Sequence, residues 1–158
     1  DKGKTIDLGM VRLVEWVQEK TSGLKAALLL KAIADGGEQP QLKHFLDLTE
    51  SGASSQVRRA EAEKIVEAVR AARKEYVTAL TSWLAEVLST GELDEVVFCG
   101  GTADYVRTEL DGHFPATPVK WHGGFKMPNG MNPSGLGNRL ADVYGLSRVL
   151  LGSRPGKN

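Results

Sequence analysis

The sequence predicts an α/β protein, rich in helix and built on a small sheet. Three observations support this. The apolar run Val96 to Cys99 meets Gly100-Gly101, a helix-like segment follows from Thr102 to Leu110, and Pro118 to His122 (PVKWH) reads as another strand. A strand–helix–strand unit of this kind makes a parallel pair. Between Gln56 and Leu88, Val57, Ile65, Val66, Val69, Ala72, Tyr76, Leu80, Trp83 or Leu84, and Val87 recur in steps of three and four. That spacing draws one apolar stripe along a long helix whose other face is charged. Finally, 158 residues with 41% apolar content suit one domain, residues 1–158, with a real core.

The remaining elements follow in order. Leu8, Val11, Val14 and Val17, with Met10 and Leu13 beside them, recur at helical spacing, and Thr21-Ser22-Gly23 breaks the helix. Leu24 to Ala34 reads as a very apolar second helix through Leu24, Ala27, Leu28, Leu30 and Ile33, ended by Gly36-Gly37. Residues 38–49 predict an irregular piece with some strand. Ser51 to Ser55 carries N-cap chemistry for the long helix. Gly123 to Gly135 reads as a loop rich in Gly, Pro and Asn, and about Asn138 to Leu151 as a last helix with Leu140, Val143, Tyr144, Leu146 and Val149 inward. Residues 153–158 read as a solvated, flexible tail. The chain opens without an initiator Met, and two strands make a very small sheet. Both features suggest one half of a larger α/β body.

Charge narrows the possible functions. Twenty basic residues balance twenty acidic ones, whereas a nucleic-acid binder carries a basic excess that neutralises phosphates. Arg58, Arg59, Arg70, Arg73 and Lys74 alternate with Glu61, Glu63, Glu67 and Glu75, the pattern of helix-surface ion pairs. Cys99, the single cysteine, lies in the apolar strand run and reads as a buried thiol, which fits a reducing, cytoplasmic compartment. No apolar stretch approaches the roughly 20 residues that span a bilayer, so no membrane partner is expected. His44, His113 and His122 lack ligand spacing, and no metal site or catalytic residue is assigned.

Gly100-Gly101-Thr102 is the chemically interesting stretch. Strand ends of parallel sheets are where α/β proteins take ligands, and glycine lets a ligand approach the backbone. A tight strand-to-helix corner needs glycine as well, and the residues alone leave both readings open.

The segment "VVFCGGTADYV" resembles the adenosine motif of the actin-like ATPase superfamily, an apolar run followed by Gly-Gly and a small hydroxyl residue. "LSTGELDEVVFCGGTADYVRTELDGHFP", the closing "GLGNRLADVYGL" and the early "TIDLGMVRLVEWV" are similar to ParM-type plasmid segregation actins, over about Thr5 to Leu151. The resemblance implies the C-terminal half of an actin-like (ribonuclease H-like) ATPase fold. The Asp-x-Gly phosphate loops of the family are not recognisable: Asp7-Leu8-Gly9 has the spelling but runs straight into a helix. Only the lobe that holds adenine and ribose is therefore implied. ATP with Mg would be bound in the intact protein, and this half alone would not hydrolyse it.

Carried over by position, Gly100 and Gly101 would lie beneath the α-phosphate and ribose. Thr102 would cap the helix and bond a phosphate or ribose oxygen. Tyr105 would flank the adenine or simply pack. Lys31 would reach the base edge or snorkel at the surface, and the loop opening at Lys126 would close over the base. Asn138 would contact nucleotide or act as an N-cap. The partners implied are further copies in a filament, the N-terminal lobe, and DNA reached only through an adaptor. Two rival readings stand beside this one: a sugar-kinase-like or chaperone-like ATPase lobe, and a non-enzymatic protein-interaction module.

Overall fold

The computed structural model describes residues 6–21, 23–88 and 93–124. The chain divides into two compact units, Asp1–Gly91 and Glu92–Asn158. The described part is mainly helical with one small parallel sheet, an α/β composition.

The first unit holds α1 (Met10–Lys20), α2 (Ala26–Gly36), two single 3-10 turns (Leu42–His44 and Leu46–Leu48) and α3 (Ser55–Leu88). α1 packs against both α2 and α3, and the two turns pack on α3. Leu13, Val14 and Val17 of α1, Leu29, Ala32 and Ile33 of α2, Phe45 between the turns, and Ile65, Val66, Val69 and Tyr76 of α3 are buried. α3 also buries Ala62, Ala68 and Ala72, small side chains that let neighbouring backbone come close. The stripe therefore begins later than its spelling suggests: Val57 is 48% exposed, and Val11 of α1 is 67% exposed. In α2 the expected inward leucines, Leu28 and Leu30, are exposed, and Leu29 between them is the buried one.

Residues 38–49 contain no strand. His44 and Gln41 close the first turn on each other, with the Gln41 N–H donating to His44 Nδ1 at 3.2 Å. A local side-chain bond of this kind offers the backbone an alternative to a sheet ladder. The second turn is tied to α3 by Arg58. Its Nε donates to Thr49 Oγ1 at 3.0 Å and its Nη2 to the Leu46 carbonyl at 2.9 Å, while Thr49 Oγ1 donates to the same carbonyl at 2.6 Å. Arg58 is thus a tie between segments, not the surface ion pair its spacing implied. Its neighbour Arg59 does form the expected pair with Glu63, at 3.2 Å. Glu75 reaches across to Lys20 of α1 at 3.0 Å. Tyr76, edge-on to Trp16 with ring centroids 6.2 Å apart, donates its hydroxyl to the Leu8 carbonyl just ahead of α1.

The second unit contains β1 (Val96–Phe98), α4 (Gly101–Tyr105), α5 (Arg107–His113) and β2 (Val119–Trp121), followed by a 3-10 turn at His122–Gly124. β1 and β2 run parallel in the register Val96 to Val119, Val97 to Lys120 and Phe98 to Trp121. The expected single helix after the glycines is two short ones, broken at buried Val106 (φ −116, ψ 26). Phe98 packs against Trp121 and Phe114, with centroids 5.2 and 5.7 Å away. Arg107 of α5 lies over the Trp121 ring at 4.5 Å, and Trp121 Nε1 donates to Asp111 at 2.9 Å. One turn of α5 thus holds the indole on its face and at its polar edge.

Candidate functional site

The two strands end side by side. Because Phe98 pairs with Trp121, Cys99-Gly100 and His122-Gly123 are the residues that leave the sheet at its carboxyl edge. In parallel sheets this edge is the one that takes ligands.

Gly100 turns the chain from β1 into α4 at φ 90, ψ 166. Side chains are essentially excluded from that region of backbone space, so the corner requires glycine. A Cβ built on Gly100 would meet nothing within 4 Å. The same residue therefore makes the turn and leaves open space beside the backbone. The two readings of Gly-Gly, corner and clearing, are compatible at this position.

Thr102 does not cap the helix. The N-cap is Gly100, which has no side chain to offer, and α4 already begins at Gly101. The Thr102 hydroxyl sits one residue inside the first turn, half-buried. Tyr105 ends α4 and is 7% exposed, so its ring is largely a packing element of the second unit. α4 is only five residues long, and so short a helix carries little dipole for an anion. Any ligand held here would rely on close backbone approach.

Cys99 is exposed, not buried. Burial alternates along this strand, with Val96 and Phe98 half-covered and Val97 and Cys99 open. The period of two puts the thiol on the uncovered face. The apolar run reads as buried from its spelling, and the strand instead has one open face.

His122 escaped the sequence reading as a site residue. It is left-handed (φ 57), and its Nε2 lies 2.8 Å from Asp104 Oδ1 of α4. Its side chain is 9% exposed, and its Nδ1 is buried without a hydrogen-bond partner among the described residues. This pair ties the end of β2 to the helix that the glycines open. No spacing rule links positions 104 and 122, so only the parallel register reveals the pair.

Lys31 belongs to the other compact unit. It is exposed on α2 and forms an i,i+4 ion pair with Asp35 at 2.7 Å, a hydrogen bond that raises the lysine above its ordinary pKa. Asp35 is thus its local partner within the first unit. Lys126 and Asn138, the loop after Gly124 and the last expected helix lie outside the described residues.

Among the described residues no group of three or more His, Cys, Asp or Glu side chains could hold a metal ion. No described helix is long and apolar enough to cross a membrane. Comparison with protein-family models, with curated proteins and with solved structures found no match.

Proposed function

We propose that this chain is the ATP-binding lobe of a filament-forming, ParM-type actin-like ATPase acting in plasmid DNA segregation. The observation that carries the reading is the β1–Gly100-Gly101–α4 corner. It joins a residue pattern similar to the family's adenosine motif to an open glycine backbone at the carboxyl edge of a parallel pair. The fit to a nucleotide is a fit of access. Where Gly100 lacks a Cβ there is open space, and the Thr102 hydroxyl lies one residue into the helix beside it.

In this reading the glycines admit the ribose and α-phosphate, Thr102 bonds an oxygen, and Tyr105 backs the site from within. ATP would supply the γ-phosphate whose loss destabilises filaments. Mg²⁺ would be ligated by residues other than those described. DNA would be reached through an adaptor, in keeping with a formal net charge of zero. The protein would act in the cytoplasm.

The test is nucleotide binding by Gly101→Val and Thr102→Val beside the unaltered chain. Loss of ATP binding in Gly101→Val and weakened binding in Thr102→Val, with circular dichroism unchanged, supports the assignment. Unimpaired affinity in both removes it. Binding without Mg-ATP-dependent assembly in the complete polypeptide would favour a sugar-kinase-like or chaperone-like lobe. Absence of any nucleotide response would favour the interaction module.

A further inference from the structure

The first unit contains a cleft of about 520 Å³ where the end of α1, the approach to α2, the exit of the second 3-10 turn and α3 meet. Small-molecule sites run from about 300 to 1,000 Å³. Its apolar lining comes from Leu24, Leu48 and Ile65, of which Ile65 is 5% exposed. Lys20, Lys64, Glu50 and Glu61 supply the charge, two of each sign.

These charges are not equally engaged. Lys20 is held by Glu75 at 3.0 Å, and Glu61 accepts the Glu50 backbone N–H at 3.3 Å. The Lys64 ammonium and the Glu50 carboxylate have no partner among the described residues. Among the described residues, an unpaired cation and an unpaired anion therefore border an apolar hollow. The lining contains no aromatic ring on which a base could stack, and two carboxylates oppose a phosphate.

We infer that this cleft binds a small zwitterion, an α-amino acid with an apolar side chain. Lys64 takes the carboxylate, Glu50 takes the ammonium with Glu61 beside it, and Leu24, Leu48 and Ile65 cover the side chain. The site belongs to the first unit and does not depend on the nucleotide reading.

The test is an amide NMR titration of the whole chain with L-leucine, and in parallel with N-acetyl-L-leucinamide, which keeps the side chain and removes both charges. Saturable shifts confined to residues around the cleft, from leucine and not from the amide, are expected. Lys64→Met and Glu50→Gln alter exposed side chains, so the fold is retained. Each should weaken leucine binding about tenfold, the loss of one charge-assisted contact. No saturable shift with leucine, equal binding of the uncharged analogue, or unchanged affinity in both variants would overturn the inference.

Discussion

Arg58 and Arg59 are adjacent, identical in chemistry and on one helix, yet replacing each with Met should give very different results. Arg58→Met keeps most of the aliphatic stem and removes two bonds from a charged donor, to Thr49 Oγ1 at 3.0 Å and the Leu46 carbonyl at 2.9 Å. Bonds to a charged group are each worth about 1.5–3 kcal/mol when enclosed. Arg58 is only half-buried, the Leu46 carbonyl still accepts from Thr49, and the Thr49 hydroxyl stays bonded as that donor. Two bonds at the low end of that range give about 3 kcal/mol, and the half-exposed setting brings the expected loss to about 2 kcal/mol in total. Arg59→Met removes an exposed i,i+4 pair with Glu63, worth about 0.3–0.5 kcal/mol. Urea unfolding followed by far-ultraviolet circular dichroism separates the two. With a slope of about 2 kcal/mol per molar, Arg58→Met should lower the midpoint by about 1 M and Arg59→Met by about 0.2 M. Equal midpoints would refute the argument that Arg58 ties the 3-10 turn to α3. Neither change should alter affinity for DNA, and a large loss in a filter-binding assay would restore direct nucleic-acid contact.

Burial pushes the Tyr76 phenol up to about 12 from an ordinary 10.0. A raised folded value means that its contribution is intact below pH 10 and is lost as pH rises through 12. Stability measured over that window should fall by on the order of 2 kcal/mol, and Tyr76→Phe should flatten the fall while costing about 1 kcal/mol at neutral pH through the lost bond to Leu8. Gly100→Val should destabilise the second unit by about 1–3 kcal/mol from backbone strain alone, since a Cβ there meets nothing within 4 Å; a neutral melting curve would contradict the backbone argument. Cys99 should react with Ellman's reagent in the native chain without denaturant, because the thiol is exposed. Reaction only after unfolding would return it to the interior.

The parts of the fold readable in the sequence were those with a clear period. α1 and α3 appear where steps of three and four place them, and β1 and β2 flank the glycines as their apolar runs suggest. The inward faces were harder to read. In α2, Leu28-Leu29-Leu30 is apolar all round, so periodicity cannot say which leucine turns inward. In α3 the buried alanines are weak hydrophobes and count for little in a pattern, although close helix packing depends on them. The strand expected within 38–49 gave way to turns closed by a local Gln41–His44 exchange. The Gly-Gly corner was visible because glycine is distinctive, and its open side needed coordinates. The His122–Asp104 pair joins two elements through the parallel register, information that no linear spacing carries.

We propose that the backbone at Gly100-Gly101 admits ATP. The most direct test is equilibrium binding of a fluorescent ATP analogue with Mg²⁺ to the chain, with unlabelled ATP as competitor and Gly101→Val and Thr102→Val as controls. Saturable, competable binding is expected, lost in Gly101→Val and weakened in Thr102→Val while both keep native circular dichroism. Binding of equal strength in all three proteins, or none in any of them, would contradict it.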